Sequence, residues 1–468
     1  MSLMVSISGI RGIIGDSLTP DIAVRYAAAF GKYCKRRNPD NPTVMLGRDG
    51  RVSGRILANI VSSTLLSVGV HVRALGVCPT PTIQLAVEHT NAVGGISVTA
   101  SHNPIEWNGL KFLGSSGMFL DADENMEFWR IADSNDFSYA GWQGLGNHAA
   151  DDSWIQRHLE LVLALKYLDI EIIRKRRFKV VADCINGSGG VIVPDLLRKL
   201  GCTVTELNCD VSGVFAHAPE PIPENLGQLC SKVRDERADI GIAVDPDGDR
   251  LVLITEKGEP YGEEYTIASA VKFVLRKETD ERRPEAGNRK RVVINLSTTR
   301  AVEDIAREFG AELIRTPVGE INVAKRMKET NALIGGEGSG GIILPVVHLG
   351  RDAIVGIPLV LQLLAEHGGS LSELKASLPQ YAICKGKIEL GNMSPDAVLS
   401  KIRAASDSHG KANTDDGLRI DFPEYWVHLR KSNTEPILRI IAEAKTPKEA
   451  EDVVQRFRKD VEQIALKM

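Results

Sequence analysis

Short β-branched and aliphatic runs alternate along this chain with longer stretches in which apolar residues recur every three to four positions. Val44 to Gly47 is one such run, and Ser53 to Val68 is the amphipathic stretch that follows it. The first period predicts a strand and the second a helix. The alternation recurs, with strands predicted at Gly95 to Thr99, Lys179 to Asp183, Ile240 to Val244, Leu251 to Ile254, Val292 to Asn295 and Ala332 to Ile334. Three successive α/β units are expected. Past Leu378-Pro379 the strands are grouped instead, at Lys387 to Leu390, Leu418 to Phe422, Tyr425 to Leu429 and Ile437 to Ala444. Helices flank them, which predicts a smaller α+β domain. In the last helix Thr446 caps, Pro447 suits the first turn, Glu449 completes a capping box, and Ala450, Val453, Val454, Phe457, Val461 and Ile464 form one face.

At 468 residues the chain is several domains long. Its 57 basic and 61 acidic residues leave a net charge of -4, which argues against nucleic acid or an anionic membrane as a partner. Any group that binds phosphate must therefore be local. The run Glu278 to Arg291 interleaves acids with bases and lacks aromatic residues, so it reads as a solvated loop. Seven scattered cysteines without a C-x-x-C pair indicate neither a disulfide framework nor a zinc site. No apolar stretch is long enough for a membrane span, and no signal peptide is recognisable. A cytoplasmic location is expected.

Four loops carry candidate chemistry. Thr99-Ala100-Ser101-His102-Asn103-Pro104, followed by Asn108-Gly109-Leu110-Lys111, offers Ser101 as a nucleophile and Lys111 as a returning cation. A serine hydroxyl needs a base, a metal or prior phosphorylation to react. The same residues equally suit a helix cap and a turn. Asp245-Pro246-Asp247-Gly248-Asp249-Arg250 converges carboxylates on a tight turn. Such a cluster repels itself unless a cation sits within it, and oxygen ligands select magnesium or calcium. The glycine-rich Gly335 to Gly341 segment follows a predicted strand and presents Glu337 and Ser339 two residues apart. It lacks the G-K-[S/T] ending of a phosphate-binding loop, and a tight crossover between strands is as good a reading. Arg430-Lys431-Ser432-Asn433-Thr434-Glu435-Pro436, with Arg439 beyond, has the cations, hydroxyls and free N-H groups of a phosphate site, or of a polar hairpin.

Taken together and in this order, the four loops resemble the α-D-phosphohexomutase family, which includes phosphoglucosamine mutases, phosphoglucomutases and phosphomannomutases. The resemblance extends to Ser8-Gly9-Ile10-Arg11-Gly12, Leu18-Thr19-Pro20, Gly47-Arg48-Asp49, Pro79-Thr80-Pro81, Pro219-Glu220-Pro221 and Glu224-Asn225-Leu226, and covers nearly the whole chain. It implies an α/β fold of three similar domains with mixed sheets and a smaller C-terminal α+β domain around a central cleft. Residues 1–150 would bear the phosphoserine, 151–255 the metal, 256–372 the sugar-recognition loop and 373–468 the phosphate-binding loop. It further implies that Ser101 is the phosphoserine and that Asp245, Asp247 and Asp249 with Ser101 hold one Mg2+ per chain. Arg11, His102, Lys111 and Arg250 would be catalytic residues around the transferring phosphoryl group. Glu337 and Ser339 would read sugar hydroxyls, and Arg430, Ser432, Asn433, Thr434 and Arg439 would hold the other phosphate.

The implied reaction interconverts hexose 6-phosphate and hexose 1-phosphate through a hexose 1,6-bisphosphate, which is also the activator. A phosphosugar is then the only expected partner, apart from a second copy if the chain forms a homodimer rather than a monomer. Lys111 could move a proton, provided its pKa is lowered. Arg315 to Val323 and the GGEGSGG loop look more like phosphoglucosamine mutases of the archaeal type, whereas Ser432-Asn433-Thr434 looks like phosphomannomutases and phosphoglucomutases. Glucosamine phosphate is the favoured substrate, with glucose and mannose phosphates as the alternative. Gly341 stands where many bacterial members carry a histidine, and His348 and Arg351 are the candidates to replace it.

Overall fold

The computed structural model describes residues 2–280, 290–390, 394–406, 410–431 and 437–466. Among the described residues four β-sheets succeed one another along the chain. The first has seven strands in the spatial order Met4–Ser6, Gly9–Ile13, Trp107–Gly114, Gly94–Val98, Thr43–Arg48, His71–Val77 and His148–Ala150. Its last four run parallel, and the rest pair antiparallel. The helix Pro20–Arg37 carries proline at its start and an alanine-rich buried face, and packs with Gly54–Ser67 and Ala122–Ser134 over one side of this sheet. Asp121 and Glu124 form a complete capping box on the third of these helices.

The second sheet orders Leu251–Thr255, Ile240–Val244, Lys179–Asp183 and Thr203–Leu207, parallel except for the first. The third orders Glu312–Thr316, Arg291–Asn295, Ile334–Glu337 and Gly341–Ile343, parallel except for the last. These two sheets share one apolar core, filled by the helices Glu263–Asp280 and Ala353–His367. Strands buried on both faces read as continuous apolar runs, which is why Lys179–Asp183 and Ile240–Val244 are legible to the residue.

The fourth sheet is antiparallel throughout, in the order Ala382–Glu389, Ile437–Ala444, Trp426–Lys431, Leu418–Asp421 and Lys411–Asn413. The helix Pro447–Leu466 lies on it. Glu449 and Thr446 exchange side-chain to backbone hydrogen bonds, and Val453, Val454, Phe457 and Val461 are buried against the sheet. Truncating Phe457 to alanine removes a ring from this small core, a loss of about 3–5 kcal/mol.

Two expectations are corrected. The strand predicted at Ala332 to Ile334 is Ile334–Glu337, so Gly335, Gly336 and Glu337 belong to a strand and only 338–340 form the turn back to Gly341. A Cβ on Gly335 would lie 2.4 Å from the Val293 carbonyl oxygen and 2.5 Å from Met327 Sδ, so the glycine is required by packing inside the sheet. The charged run begins within the helix Glu263–Asp280, and its residues 281–289 lie outside the described residues. Among the described residues no helix is long and apolar enough to cross a membrane.

Candidate active site

Ser101 follows the central strand Gly94–Val98 at φ +50°, a conformation uncommon for a residue with a side chain. One side chain holds it there. Arg51, 1% exposed, donates from Nη2 to the carbonyls of Ser101 at 2.6 Å and Asn103 at 2.7 Å, and from Nη1 to those of Pro104 at 2.7 Å and Trp107 at 2.9 Å. Asp49 accepts from Arg51 Nε at 3.1 Å and from the Thr99 hydroxyl at 2.6 Å, and Thr99 in turn accepts from the Ser101 N-H at 2.9 Å. The Ser101 hydroxyl is only 2% exposed and donates to Asp245 Oδ2 at 3.0 Å. His102 Nδ1 lies 3.3 Å from the same hydroxyl. Burial, aided by Arg250 and Arg11, pushes the His102 pKa well down and keeps the ring neutral.

Asp245, Asp247 and Asp249 are all buried, and one carboxylate oxygen from each lies within 4.8 Å of the others. Glycine at φ +69° makes the turn between the second and third. Asp247 and Asp249 are each oriented through one oxygen, and Asp245 through both, its Oδ2 taking the Ser101 hydroxyl. Asp245 Oδ1 accepts from the N-H groups of Asp249 and Arg250, at 3.0 and 3.1 Å. Asp247 Oδ2 accepts from Lys111 at 2.6 Å and from the Thr80 hydroxyl at 2.7 Å. Asp249 Oδ2 accepts from Arg351 at 2.6 Å and Lys111 at 3.4 Å. Among the described residues Asp247 Oδ1 and Asp249 Oδ1 are buried with no hydrogen-bond partner. Burial drives the Asp245 carboxyl well above its ordinary range, with Asp249 and Asp247 adding to it. An all-oxygen cluster with two orphaned, buried acceptors fits a hard divalent cation.

Lys111 lies on the strand Trp107–Gly114 and is buried. Burial alone would lower its pKa, but Asp247 and Asp249 outweigh it and hold the ammonium above its usual value. The lowered pKa that a lysine base requires is therefore the opposite of what the site imposes. Arg11 reaches the same loop from the strand Gly9–Ile13, donating to Asn103 Oδ1 at 3.0 Å and the Ala100 carbonyl at 3.4 Å. It can do so because Gly109 faces it: a Cβ there would lie 2.4 Å from the Ile10 carbonyl and 3.0 Å from Arg11 Cγ.

A cleft of about 620 Å³ opens over these groups, lined by His102 and by Arg250, Glu337, Ser339, Arg430 and Arg439 from the other three sheets' neighbourhoods. The fold thus brings residues of four separate segments to one cleft. Glu337 is 4% exposed and accepts from Asn295 Nδ2 at 2.8 Å, the Gly319 N-H at 2.9 Å and Arg351 Nη1 at 2.7 Å. Arg430 is paired with Asp416 at 2.8 Å, and it lies directly across the strands from Arg439, which lies across from Lys387. Lys387, unmarked in the sequence, lines the cleft with them, so three cations stand side by side. Ser432, Asn433 and Thr434 lie outside the described residues.

Arg351 resolves the question raised by Gly341. A Cβ on Gly341 would lie 2.3 Å from Arg351 Cδ, so the arginine stem fills the space that a side chain at 341 would take. Its Nε donates to Glu320 at 3.1 Å, while its other two nitrogens reach Glu337 and Asp249. His348 is elsewhere: it is buried on Asp352 Oδ2 at 3.0 Å, which also takes His158 at 2.8 Å. Arg51, Thr80, Glu320 and Lys387 were not marked as site residues by the sequence.

A nucleophile beside a buried acidic cluster, facing a bank of cations across a four-walled cleft, defines a phosphoryl-transfer enzyme acting on a phosphorylated small molecule. Comparison with known proteins makes this specific. Residues 4–139, 156–258 and 265–381 match phosphoglucomutase/phosphomannomutase alpha/beta/alpha domains I, II and III, and residues 393–460 match the C-terminal domain. The chain belongs to the phosphoglucomutase/phosphomannomutase family, and so to the phosphohexomutases, which are isomerases. It is 38% identical over 449 residues to a phosphoglucomutase/phosphomannomutase of Thermococcus kodakarensis, covering 96% of both chains. It is 35% identical over 452 residues to a probable phosphoglucosamine mutase of Methanopyrus kandleri, again covering 96% of both. Among solved structures, a phosphoglucomutase/phosphomannomutase family protein from Burkholderia thailandensis superposes with a TM-score of 0.83 at 27% identity, covering 98% of each chain.

Proposed function

We propose that the enzyme interconverts hexose 6-phosphate and hexose 1-phosphate by way of phosphorylated Ser101 and a hexose 1,6-bisphosphate, with glucosamine phosphate as its substrate. The observation that carries this reading is the Ser101 hydroxyl, 3.0 Å from Asp245 and 3.3 Å from His102 Nδ1, whose side chain lines a cleft shared with Arg430, Arg439 and Lys387. One magnesium ion, held by Asp245, Asp247, Asp249 and the phosphorylated Ser101, would neutralise charge on the transferring group.

Phospho-Ser101 donates to the free hydroxyl of the sugar phosphate. Arg11, Arg250 and the ammonium of Lys111 offset charge on the equatorial oxygens of a loose, in-line transfer. Such a transfer needs little help from a base, and the neutral His102 ring, 3.3 Å from Ser101 Oγ, is placed to take the proton. Arg430, Arg439 and Lys387, with Ser432, Asn433 and Thr434, hold the phosphate that is not reacting. The bisphosphate then turns within the cleft and returns its other phosphoryl group to Ser101. Glu337 and Ser339 read the sugar hydroxyls in both orientations.

The units assigned to this chemistry are 1–150 for the phosphoserine, 151–255 for the metal, 256–372 for the sugar and 373–468 for the distal phosphate. A cytoplasmic enzyme, monomeric or homodimeric, with no nucleic acid or membrane partner, is consistent with the charge balance. The preference for glucosamine phosphate draws on Arg315 to Val323 and on the name of the Methanopyrus relative. Broad action on glucose and mannose phosphates is the second reading, favoured by the name of the Thermococcus relative.

The test is steady-state turnover of glucosamine 6-phosphate, glucose 1-phosphate and mannose 1-phosphate with magnesium and a trace of hexose 1,6-bisphosphate, beside Ser101→Ala. Isomerisation of the amino sugar far above the others supports the first reading, and comparable glucose and mannose turnover supports the second. Release of inorganic phosphate equal to substrate consumed would make the enzyme a phosphatase. No Ser101-dependent turnover would leave a phosphosugar-binding protein.

A further inference from the structure

Glu264 has no part in the chemistry above, yet it stands in the same cleft. It lies in the first turn of the helix Glu263–Asp280 and lines the cleft beside Glu337, Gly338 and Ser339. A Cβ on Gly338 would lie 2.0 and 2.1 Å from its two carboxylate oxygens, so the carboxylate is seated against the backbone between the two sugar-reading residues. Only a glycine leaves that space.

Its bonding is thin for a carboxylate so enclosed. Oε2 accepts from the Thr299 N-H at 2.9 Å, and among the described residues no lysine, arginine or histidine pairs with it. Lys385, the cation whose charge acts on it, is taken by Glu263. The charged groups facing it are Glu263 on its own helix, Lys385 on the strand Ala382–Glu389 and Glu443 on the strand Ile437–Ala444, with Glu337 across Gly338. Glu337 is itself paired with Arg351 at 2.7 Å, and Arg250, Lys387, Arg430 and Arg439 line other parts of the cleft, so the acids acting on Glu264 are Glu263 and Glu443, against the one base Lys385. Burial therefore raises the Glu264 pKa to about 8, Glu263 adding to the rise and Lys385 opposing it. At neutral pH it holds a proton that a cation in the cleft would displace.

We propose that Glu264 is the specificity residue for an amino sugar, pairing its carboxylate with the ammonium of an aminohexose phosphate while Glu337 and Ser339 meet neighbouring hydroxyls. This rests on the phosphohexomutase reading above and narrows its substrate class. A hexose phosphate brings a neutral hydroxyl to the same place and leaves the carboxyl protonated. An aminohexose phosphate brings a charge that this carboxylate, which has no cationic side-chain partner of its own among the described residues, accepts. Hydrogen bonds between charged groups are the stronger kind, so the preference attributable to this one contact is about tenfold or more.

The test compares the full-length wild type with Glu264→Gln, which keeps an oxygen for the Thr299 N-H. The variant is expected to lose about tenfold or more in kcat/KM for glucosamine 6-phosphate and to stay within about threefold for glucose 6-phosphate. Calorimetric titration at pH 7 in two buffers of different ionisation enthalpy counts protons. Glucosamine 6-phosphate should release close to one more proton than glucose 6-phosphate from the wild type, and Glu264→Gln should abolish the difference. A purely structural role for Glu264 lowers both sugars alike, and that result, or an unchanged proton count, overturns the proposal. If the wild type isomerises neither sugar, the proposed reaction fails, and the proton count still decides the role of Glu264 in binding.

Discussion

Arg51 is the residue whose loss should be felt most widely, because one buried guanidinium holds four carbonyls of the Ser101 loop and the Asp49 carboxylate together. Arg51→Met keeps most of the volume and removes every donor. Breaking a buried ion pair by removing one partner costs about 3–5 kcal/mol, because the remaining charge stays buried. The four carbonyls lose partners as well, although water admitted by the slackened loop recovers part of that loss. Against a net stability of about 5–15 kcal/mol, a loss of about 4 kcal/mol lowers the melting temperature by about 10 °C. The effect on rate is separate. Ser101 sits in a left-handed conformation that its own backbone does not favour, and a shift of about 1 Å in a reacting group costs about a hundredfold. Thermal unfolding and Ser101-dependent turnover per folded molecule, measured on the same preparation, read the two losses independently. Arg51→Lys should resemble Arg51→Met, since one ammonium cannot span the four carbonyls. Unfolding within about 1 kcal/mol of wild type, or normal turnover by the folded fraction, would refute the reasoning.

Three further outcomes are expected. Gly341→Ala and Arg351→Ala should impair turnover similarly, and the double variant should be no worse than either, because a Cβ at 341 displaces the same arginine stem; additive losses in the kinetic cycle would contradict this. Magnesium at a hundred times its dissociation constant should stabilise the folded chain by about 2.7 kcal/mol in a melting experiment, and Asp247→Asn should weaken that shift severalfold, since Asp247 Oδ1 is one of the two orphaned acceptors. Glu264, at about 8 in the folded chain and near 4.5 when exposed, contributes stability that is full below pH 4.5 and is lost as pH rises through 8. Glu264→Gln should therefore gain on the wild type in denaturant titrations between pH 5 and pH 9, by about 1.4 kcal/mol per pH unit at most; a constant gap across that range would be inconsistent with the burial described.

The three α/β units and the antiparallel last sheet were legible because their strands are apolar on both faces or alternate cleanly, and because helix caps such as Thr446 with Glu449 are local signals. Ser101 and the three aspartates stood out for a similar reason, since each lies in a short, unusual loop at a strand end, whereas Lys111 sits within the strand that follows the Ser101 loop. What sequence spacing hides is partnership across the chain. Arg51 looks like an ordinary basic residue until it is set beside a loop fifty positions away. Glu320 and Gln84, 236 positions apart, meet only in the folded protein, and both serve Arg351 or its partner. Glycine misled in one place, where a run of glycines suggested a loop and packing against Met327 and Val293 had instead demanded a strand without side chains.

The cations Lys387, Arg439 and Arg430, in register on three adjacent strands, have a practical consequence. Like charges placed opposite one another in a sheet repel, and an anion lying over them relieves the repulsion. Under the distal-phosphate role proposed above, tetrahedral dianions in solution, phosphate and sulfate included, are expected to compete for that place. Preparations kept in such salts should look unusually robust on heating while binding substrate poorly. Kinetic constants for this enzyme are therefore best measured in buffers whose anions are monovalent.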